Sequence, residues 1–576
     1  MSRKKVAIFG GGIAGLSAAQ ELARRFEVHV FEASDEVGGK ARSQQVVGTG
    51  VGGRRDLPGE HGFRFFPAFY QNVIRTMDEI PVSGGGSVKG RLVPCDEFAI
   101  AQPEDQIVRV PRGSPKDVGD YFQIADALAD FLGAFKPSER ELAKISMKML
   151  RFMVSCDERR LSDFESISFW DFIEGNSYSP KFQRILQSPR FMVAMQGQRG
   201  SARTVGRMAL QILLDFRRAN SEKDRLLDGP TKERWLDPWR VHLDALGVKF
   251  HLSSALKRLQ VDESAKRVVG AELADGTQVN ADYFLIAVPI EKVQPLISDE
   301  LARVDDALRV LRTAPVTTGA SPLTAWMTGA QFFLRRRVDV CRGHVAYAAS
   351  TWALSSVSQG QFWGPESAPL KSHFGAGDVE DVISVDVSDW FTKNAEGKMG
   401  IDMTSEDEVL DEVWKQLSTA LNGGGQVVIS DADVVHRRLD SNVRFEPGPS
   451  GAVRPVNTTP LLVHPPGSLE YRPRAFTEFS NLMLASDYVQ TSMDLATMEG
   501  ANEAARRAAY AIHDNEGGAN PVRVMELVED TGPLVAAAKA LDKQRWADQT
   551  QPDLLELADM MDGVRDRERS FFDRFR

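Results

Sequence analysis

The sequence predicts an α/β fold, with one parallel-stranded domain interleaved with a second, α+β domain. Three observations carry that expectation. The chain's 576 residues exceed what one ordinary core fills. Its opening residues read as strand, glycine turn, helix and strand. Further strands of the same kind return between 231 and 295 and between 470 and 515, so one sheet is assembled from separated pieces of chain.

The first element is VAIFGGGIAGLSAAQELARR. Val6–Phe9 is a β-branched and aromatic run of the kind found in buried parallel strands. Gly10, Gly12 and Gly15 then fit GxGxxG, ahead of an alanine- and leucine-rich helix. In such a Rossmann-like unit the first glycine makes the tight turn and the second lets backbone approach a pyrophosphate. The third lets the helix pack on the strand, and the helix N-terminus offers unpaired N–H groups to the phosphates. A second strand, Val28–Glu32, ends in an acid 22 positions after Gly10, placed to accept from a ribose hydroxyl.

A second glycine pair, Gly38–Gly39, follows in ASDEVGGKARS with Lys40 and Arg42. FAD, with its longer reach toward the isoalloxazine, uses such an extra turn and basic side chain; an NAD site does not. A surface turn with solvated basic groups is the alternative. Far downstream, LMLASDYVQTSMDLATMEGANEAA places Asp487 at a strand end and opens a long helix near Glu499–Gly500. That acid suits the ribityl or phosphate region of FAD, and that helix N-terminus suits electron-rich flavin atoms.

GGGIAGLSAA, FEASDEVGGKARS and LASDYVQTSMDLATMEGA together resemble the FAD-dependent amine oxidase and phytoene desaturase superfamily, nearest to its plant- and cyanobacterial-type carotenoid desaturases. GEHGFRFFPAFY, LLDGPTKERWLDPWRVHL and ADYFLIAVPIEKVQPLI resemble further blocks of that superfamily. The resemblance implies a GR2-type FAD-binding domain at 1–75, 231–295 and 470–515. The substrate domain then falls at 76–230 and 296–469, its first part mainly helical, with a helical extension at 516–576. Motif and resemblance give these FAD-binding candidates: Gly10, Gly12, Ile13, Ala14, Gly15, Glu32, Ala33, Gly39, Lys40, Ala41, Arg42, Glu60, His61, Gly62, Leu256, Asp487 and Met498.

The remaining elements follow in order. GEHGFRFFPAFY sets Glu60, His61 and Arg64 among Phe63, Phe65, Phe66, Phe69 and Tyr70. Aromatic walls with a few polar groups suit the place where the chain passes beside a flavin. His61 is either an acid/base or a hydrogen-bonded structural group. Arg64 either pairs with Glu60 or orients substrate. Arg234 matches the arginine near flavin and substrate in desaturase-like relatives, or is a solvated helix-start residue. Residues 117–220 read as largely helical, with a capping box at Ser138–Glu141. Ser405 and Glu408 form another, ahead of the face Val409, Leu410, Val413, Trp414 and Leu417. Asp275–Gly276 marks a hairpin. Ser350–Trp363 reads as a strand pair or a pocket lining, and RDRERSFFDRFR at the end as a solvated helix or a membrane-docking one.

Bulk properties narrow the classes. The composition is 42% hydrophobic and 26% charged, the mean hydropathy is −0.27, and the formal charge of −10 offers phosphates no attraction, so no nucleic-acid partner is expected. The three cysteines and nine histidines show no metal-ligand spacing, and no metal is expected. No apolar stretch is long enough to span a bilayer, and the start is too short and glycine-broken for a signal peptide. The expectation is a cytoplasmic enzyme, with peripheral membrane contact left open. It would dehydrogenate or desaturate an apolar or amphipathic substrate by hydride transfer to flavin N5, passing electrons to oxygen, a quinone or a carrier. An amine or amino-acid oxidase and a flavin-dependent isomerase are the alternatives.

Overall fold

The computed structural model describes residues 3–104, 107–111, 137–187, 195–215, 223–317, 322–527, 529 and 532–550. Its organising element is a five-stranded sheet in which every neighbouring pair is parallel: Lys5–Phe9, Glu27–Phe31, Lys249–His251, Tyr283–Ile286 and Leu482–Leu484. Numbered along the chain, these strands lie in the spatial order 3-2-1-4-5, the order of a dinucleotide-binding sheet. The central strand is buried on both faces after its first residue, which is why Val6–Phe9 shows no polar alternation.

Two glycines fix the first turn. Gly10 has φ +110°, and a Cβ on it would stand 2.4 Å from the Ala287 carbonyl oxygen. On Gly15 a Cβ would stand 1.8 Å from the Gly10 carbonyl oxygen, so only glycine lets the helix Ile13–Leu22 close on the strand. That helix packs against the helix Met498–Asn515, where Asn502 donates to Ser17 Oγ at 2.8 Å. The hairpin at Asp275–Gly276 joins Arg267–Leu273 to Gln278–Val279, with Gly276 at φ +89°.

A second sheet has seven strands, ordered Val434–Leu439, Thr328–Leu334, Asp381–Val387, Leu354–Ser358, Gly343–Tyr347, Glu97–Ala101 and Val108–Pro111. Only the Gly343–Tyr347 and Glu97–Ala101 pair is parallel. The helix Glu406–Leu421 lays the predicted face of Val409, Leu410, Val413, Trp414 and Leu417 into the core of this half. Its cap is half a box. Ser405 Oγ accepts from the Glu408 N–H at 3.2 Å, but the Glu408 carboxylate turns to the Thr404 N–H at 2.8 Å. Ser350–Trp363 contributes the buried strand Leu354–Ser358 to this sheet.

The helix Glu139–Val154 begins with the complete Ser138–Glu141 box. Parts of the predicted helical stretch 117–220, at 117–136, 188–194 and 216–220, lie outside the described residues, as does the terminal stretch 565–576. No described helix is long and apolar enough to cross a membrane.

Candidate active site

Each of the five parallel strands delivers its C-terminal end to one cavity of about 830 Å³. Phe9 and Gly10, Phe31 and Glu32, Ser254–Leu256, Ala287–Pro289, and Ser486 with Asp487 all line it. Ligands collect at this edge because the loops leaving parallel strands diverge there and expose backbone N–H groups. The facing wall comes from the seven-stranded sheet, through Thr328, His344 and Asp386. Met195, just before the helix Ala202–Asp215, and Met208 within it add apolar surface.

At the sheet end, Gly12 caps the helix Ile13–Leu22 with no side-chain hydrogen bond. The first-turn N–H groups therefore lack side-chain partners and carry the positive end of the helix dipole. The Glu32 carboxylate accepts from the Gly11 N–H at 2.6 Å and from the Ser34 N–H and Oγ at 2.8 Å each. One of its roughly four lone-pair positions is left for a ligand. Lys40 pairs with Glu291 at 3.1 Å, and Ser486 Oγ donates to Asp487 at 3.1 Å.

Most of the sequence-predicted residues line this cavity: Gly10, Gly12, Ile13, Ala14, Glu32, Ala33, Gly39, Lys40, Ala41, Arg42, His61, Gly62, Arg64, Leu256, Asp487 and Met498. Three do not. Gly15 sits behind the turn, where its role is close packing. Glu60 is buried beneath the wall and accepts from Ser43 Oγ and the Thr231 N–H at 2.9 Å each. Burial raises its carboxyl above the ordinary value, against the pull of the Arg64 charge and these donors. Arg234 is held off the cavity by Asp228, at 2.6 and 2.7 Å, and by Glu366. The Asp228 contact is a bidentate ion pair, which six residues of chain suffice to close.

The aromatic run divides. Phe66 enters the core against Trp235, with ring centroids 5.6 Å apart, whereas Phe63, Phe65, Phe69 and Tyr70 line the cavity. Arg64 is not hydrogen-bonded to Glu60; its three nitrogens donate to the carbonyls of Lys40, Ala41 and Gly62 at 2.7, 3.4 and 2.9 Å. It fastens the second glycine turn to the aromatic segment.

One part of the wall is polar. His61 lines the cavity as a residue and meets Asp440 through Nδ1, while its Nε2 is buried and has no partner among the described residues. Burial pushes the Asp440 carboxyl up, but His61, the Asn442 N–H and Gln44 outweigh it and hold it below the ordinary range. Asp386 lies nearby with Oδ1 unpartnered. Burial drives its carboxyl up to about 7, against Arg64 and the Phe63 N–H, and the Asp440 charge adds to the rise. Sequence reading missed Asp386, Asp440 and Thr328. Each stands on or just past a strand as one polar residue among many, with no local spacing to single it out.

A model of the family described as flavin containing amine oxidoreductase matches residues 13–321 and 360–513. The chain belongs to that family. Its cofactor is FAD, and it is an FAD-dependent oxidoreductase. Among curated relatives, the carotenoid phi-ring synthase of Chlorobaculum tepidum is 30% identical over 183 residues, covering 31% of this chain and 26% of that protein. The zeta-carotene desaturase of Arabidopsis thaliana is 25% identical over 350 residues, covering 57% of this chain and 58% of the relative. The matches thus span between about a quarter and three fifths of these relatives. Solved structures share the fold. Cyclohexylamine oxidase from Brevibacterium oxydans aligns with a TM-score of 0.56 at 15% identity, over 88% of this chain and 98% of that one. A putrescine oxidase aligns at 0.56 and 16%, over 89% and 99%.

For a flavin containing amine oxidoreductase, the residues present fit FAD. The uncapped helix N-terminus beside Gly10 and Gly12 suits a pyrophosphate, the remaining lone pair of Glu32 suits a ribose hydroxyl, and Asp487 stands where the last parallel strand ends.

Proposed function

We propose that this chain dehydrogenates a largely apolar substrate, of isoprenoid, polyene or similar lipid character. The observation that carries the reading is the chemistry of the cavity beyond the glycine turns. Phe65, Phe69, Tyr70, Met195, Met208 and Leu296 line it there, and such a wall binds hydrocarbon by excluding water rather than by hydrogen bonds. The desaturases among the curated relatives act, by name, on a carotene, which supports the same class.

FAD supplies a two-electron oxidant that takes hydride from carbon. The chain's part is to hold that cofactor by the first glycine turn, Glu32 and Asp487, to keep water off the reacting carbons, and to place the apolar ligand. Electrons then leave to oxygen, a quinone or a carrier. The amine or amino-acid oxidase reading asks for a free cation facing the substrate carboxylate, or for an aromatic cage. Arg64 is spent on backbone carbonyls and Arg234 on Asp228, so neither supports it.

The test is anaerobic bleaching of the flavin band by zeta-carotene in detergent, beside cyclohexylamine, putrescine and a set of amino acids. Bleaching by the carotene supports desaturation. Bleaching by amines alone overturns it in favour of amine oxidation.

A further inference from the structure

The short strand Lys249–His251 closes one edge of the parallel sheet and is joined there to Glu27–Phe31. That join holds part of the cavity wall. The Glu32 N–H donates to the His251 carbonyl at 2.8 Å, and the Ser254 N–H donates to the Glu32 carbonyl at 2.7 Å. Glu32 and the stretch Ser254–Leu256 both line the cavity, so whatever parts the two strands also disturbs that wall.

Two imidazoles cross the join. His29, 7% exposed, and the half-buried His251 stack with their planes 7° apart, and His29 Nδ1 stands 2.9 Å from His251 Nε2. The other His29 nitrogen, Nε2, lies 3.0 Å from the Glu27 carboxyl, which His29 and Lys249 pull down to about 2 and so keep ionised. A carboxylate only accepts, so Nε2 carries the hydrogen of a neutral His29 and Nδ1 is its lone pair. The contact between the rings then takes its hydrogen from His251 Nε2. His251 also stacks on the cavity residue Phe31, with centroids 4.4 Å apart.

This chain of hydrogen bonds accepts one proton intact. It enters at His251 Nδ1, and His251 Nε2 still donates to His29. A second proton, on His29 Nδ1, sets two N–H donors against each other at hydrogen-bond distance, on two positive rings. Burial holds both rings below the ordinary histidine range. On His251 the His29 charge, Lys5 and Lys249 deepen the shift; on His29 Glu27 opposes it, and the two lysines deepen it. Beyond them, Asp282 accepts from the Lys5 N–H at 2.8 Å.

We propose that His29 and His251 form an acid-sensitive latch on the cofactor site: the doubly protonated pair drives the edge strand off its neighbour and loosens FAD. The claim rests on FAD as the cofactor and is independent of the substrate. The closed latch binds protons less tightly than the open one, so acid favours opening. Closure is complete near pH 8 and is lost as pH falls below the ordinary histidine value of about 6.5. An edge strand of three residues has few hydrogen bonds to lose and is the first part of the sheet to open.

The test is retention of FAD by the full FAD-loaded chain, measured as the dissociation constant after dilution at pH values from 5 to 8. The expected result is a weakening of roughly tenfold per pH unit below about pH 6, the linkage slope of one coupled proton. His251→Phe keeps a ring on Phe31 but leaves a single imidazole; it should bind FAD at pH 8 as the unaltered chain does and lose the acid weakening. His29→Gln should do the same. A flat profile in the unaltered protein, or an acid weakening of equal size in both variants, overturns the latch. Hydrogen exchange of the unaltered FAD-loaded chain at pH 5.5 and 7.5, corrected for intrinsic rates, needs no variant. It should show faster opening in acid at 249–256, with Tyr283–Ile286 as protected as before, and equal protection of 249–256 at the two pH values overturns the proposal.

Discussion

A carboxyl group buried beside a cavity must find a cation or keep its proton, and Asp386 tends to the second. Its carboxyl is shifted from the ordinary 3.8 to about 7 by burial, with the Arg64 charge too weakly coupled to reverse the effect. The folded protein therefore binds this proton more tightly than the unfolded chain does. Stability from this group is full below about pH 4, falls as pH rises toward 7, and levels off above, by up to roughly 4 kcal/mol. Asp386→Asn removes the slope. It should be more stable than the unaltered protein at pH 8 and not at pH 4, which urea unfolding midpoints at the two pH values would check. Equal pH dependence in both proteins would show that Asp386 ionises normally. Residues of this kind hide from sequence reading because their chemistry is made by surroundings. Asp440 and Asn442 reach His61 from far along the chain, Asn442 across 381 positions, and no local pattern announces that meeting. Gly15 and Glu32 follow local spacing for the opposite reason, since Gly10, Gly11 and Ser34, which they meet, lie within about two dozen residues. Arg234 differs again: family likeness points to the flavin, and the structure shows its guanidinium paired with Asp228, six residues earlier, a contact that the sequence reading did not consider.

Elements are joined here by buried charge as well as by apolar packing. Asp494, 2% exposed and with φ +51°, pairs with both Arg472 and Arg203, and Arg203 also holds Glu165 at 2.8 Å. The cluster ties the helix Ala202–Asp215 to the loop before Met498–Asn515, and that loop carries the cavity residues Leu495, Ala496 and Thr497. Burial opposes the Asp494 charge, but the two arginines outweigh it and bring the carboxyl down to about 2. Asp494→Asn would leave two buried guanidiniums short of a counter-charge, at a cost of roughly 3–5 kcal/mol. The expected outcome is a matching loss in urea stability together with a lower FAD content after purification. A variant of normal stability would show that Glu165 and backbone carbonyls suffice for the arginines. The elements themselves were largely legible, because each begins and ends on local chemistry. Ser138 with Glu141 opens one helix, the glycine turn opens another, and Asp275–Gly276 closes a hairpin. The order of the seven-stranded sheet was not, since its strands are paired by long-range contacts between stretches that read alike.

At the scale of the whole molecule, the two sheets meet around one cavity, and the chain returns to the parallel sheet from distant positions to complete it. The last described segment, 532–550 with Glu529, adds a clamp on the helical side of that cavity. Arg159, 2% exposed, donates to Asp542 at 3.0 and 3.1 Å and to the Thr550 carbonyl at 2.7 Å. Arg160 holds Glu529 at 2.8 and 2.9 Å, and Lys539 reaches the same carboxylate at 3.0 Å. The helix Gly532–Ala547 also packs on Glu139–Val154, which in turn contacts Ala202–Asp215, the helix carrying the cavity residue Met208. Ending the chain after Leu527 strips Arg159 and Arg160 of these carboxylates in a setting where unpaired charge is costly. The parallel sheet shares an apolar core with these helices, but none of the lost ion pairs involves its strands. Hydrogen exchange should then show faster opening confined to Glu139–Val154 and Ala202–Asp215, with the strands Lys5–Phe9 and Tyr283–Ile286 as protected as before. Uniform loss of protection would mean that the molecule unfolds as one unit and that the clamp supports both sheets, whereas unchanged exchange in the two helices would show that the extension rests on them without holding them.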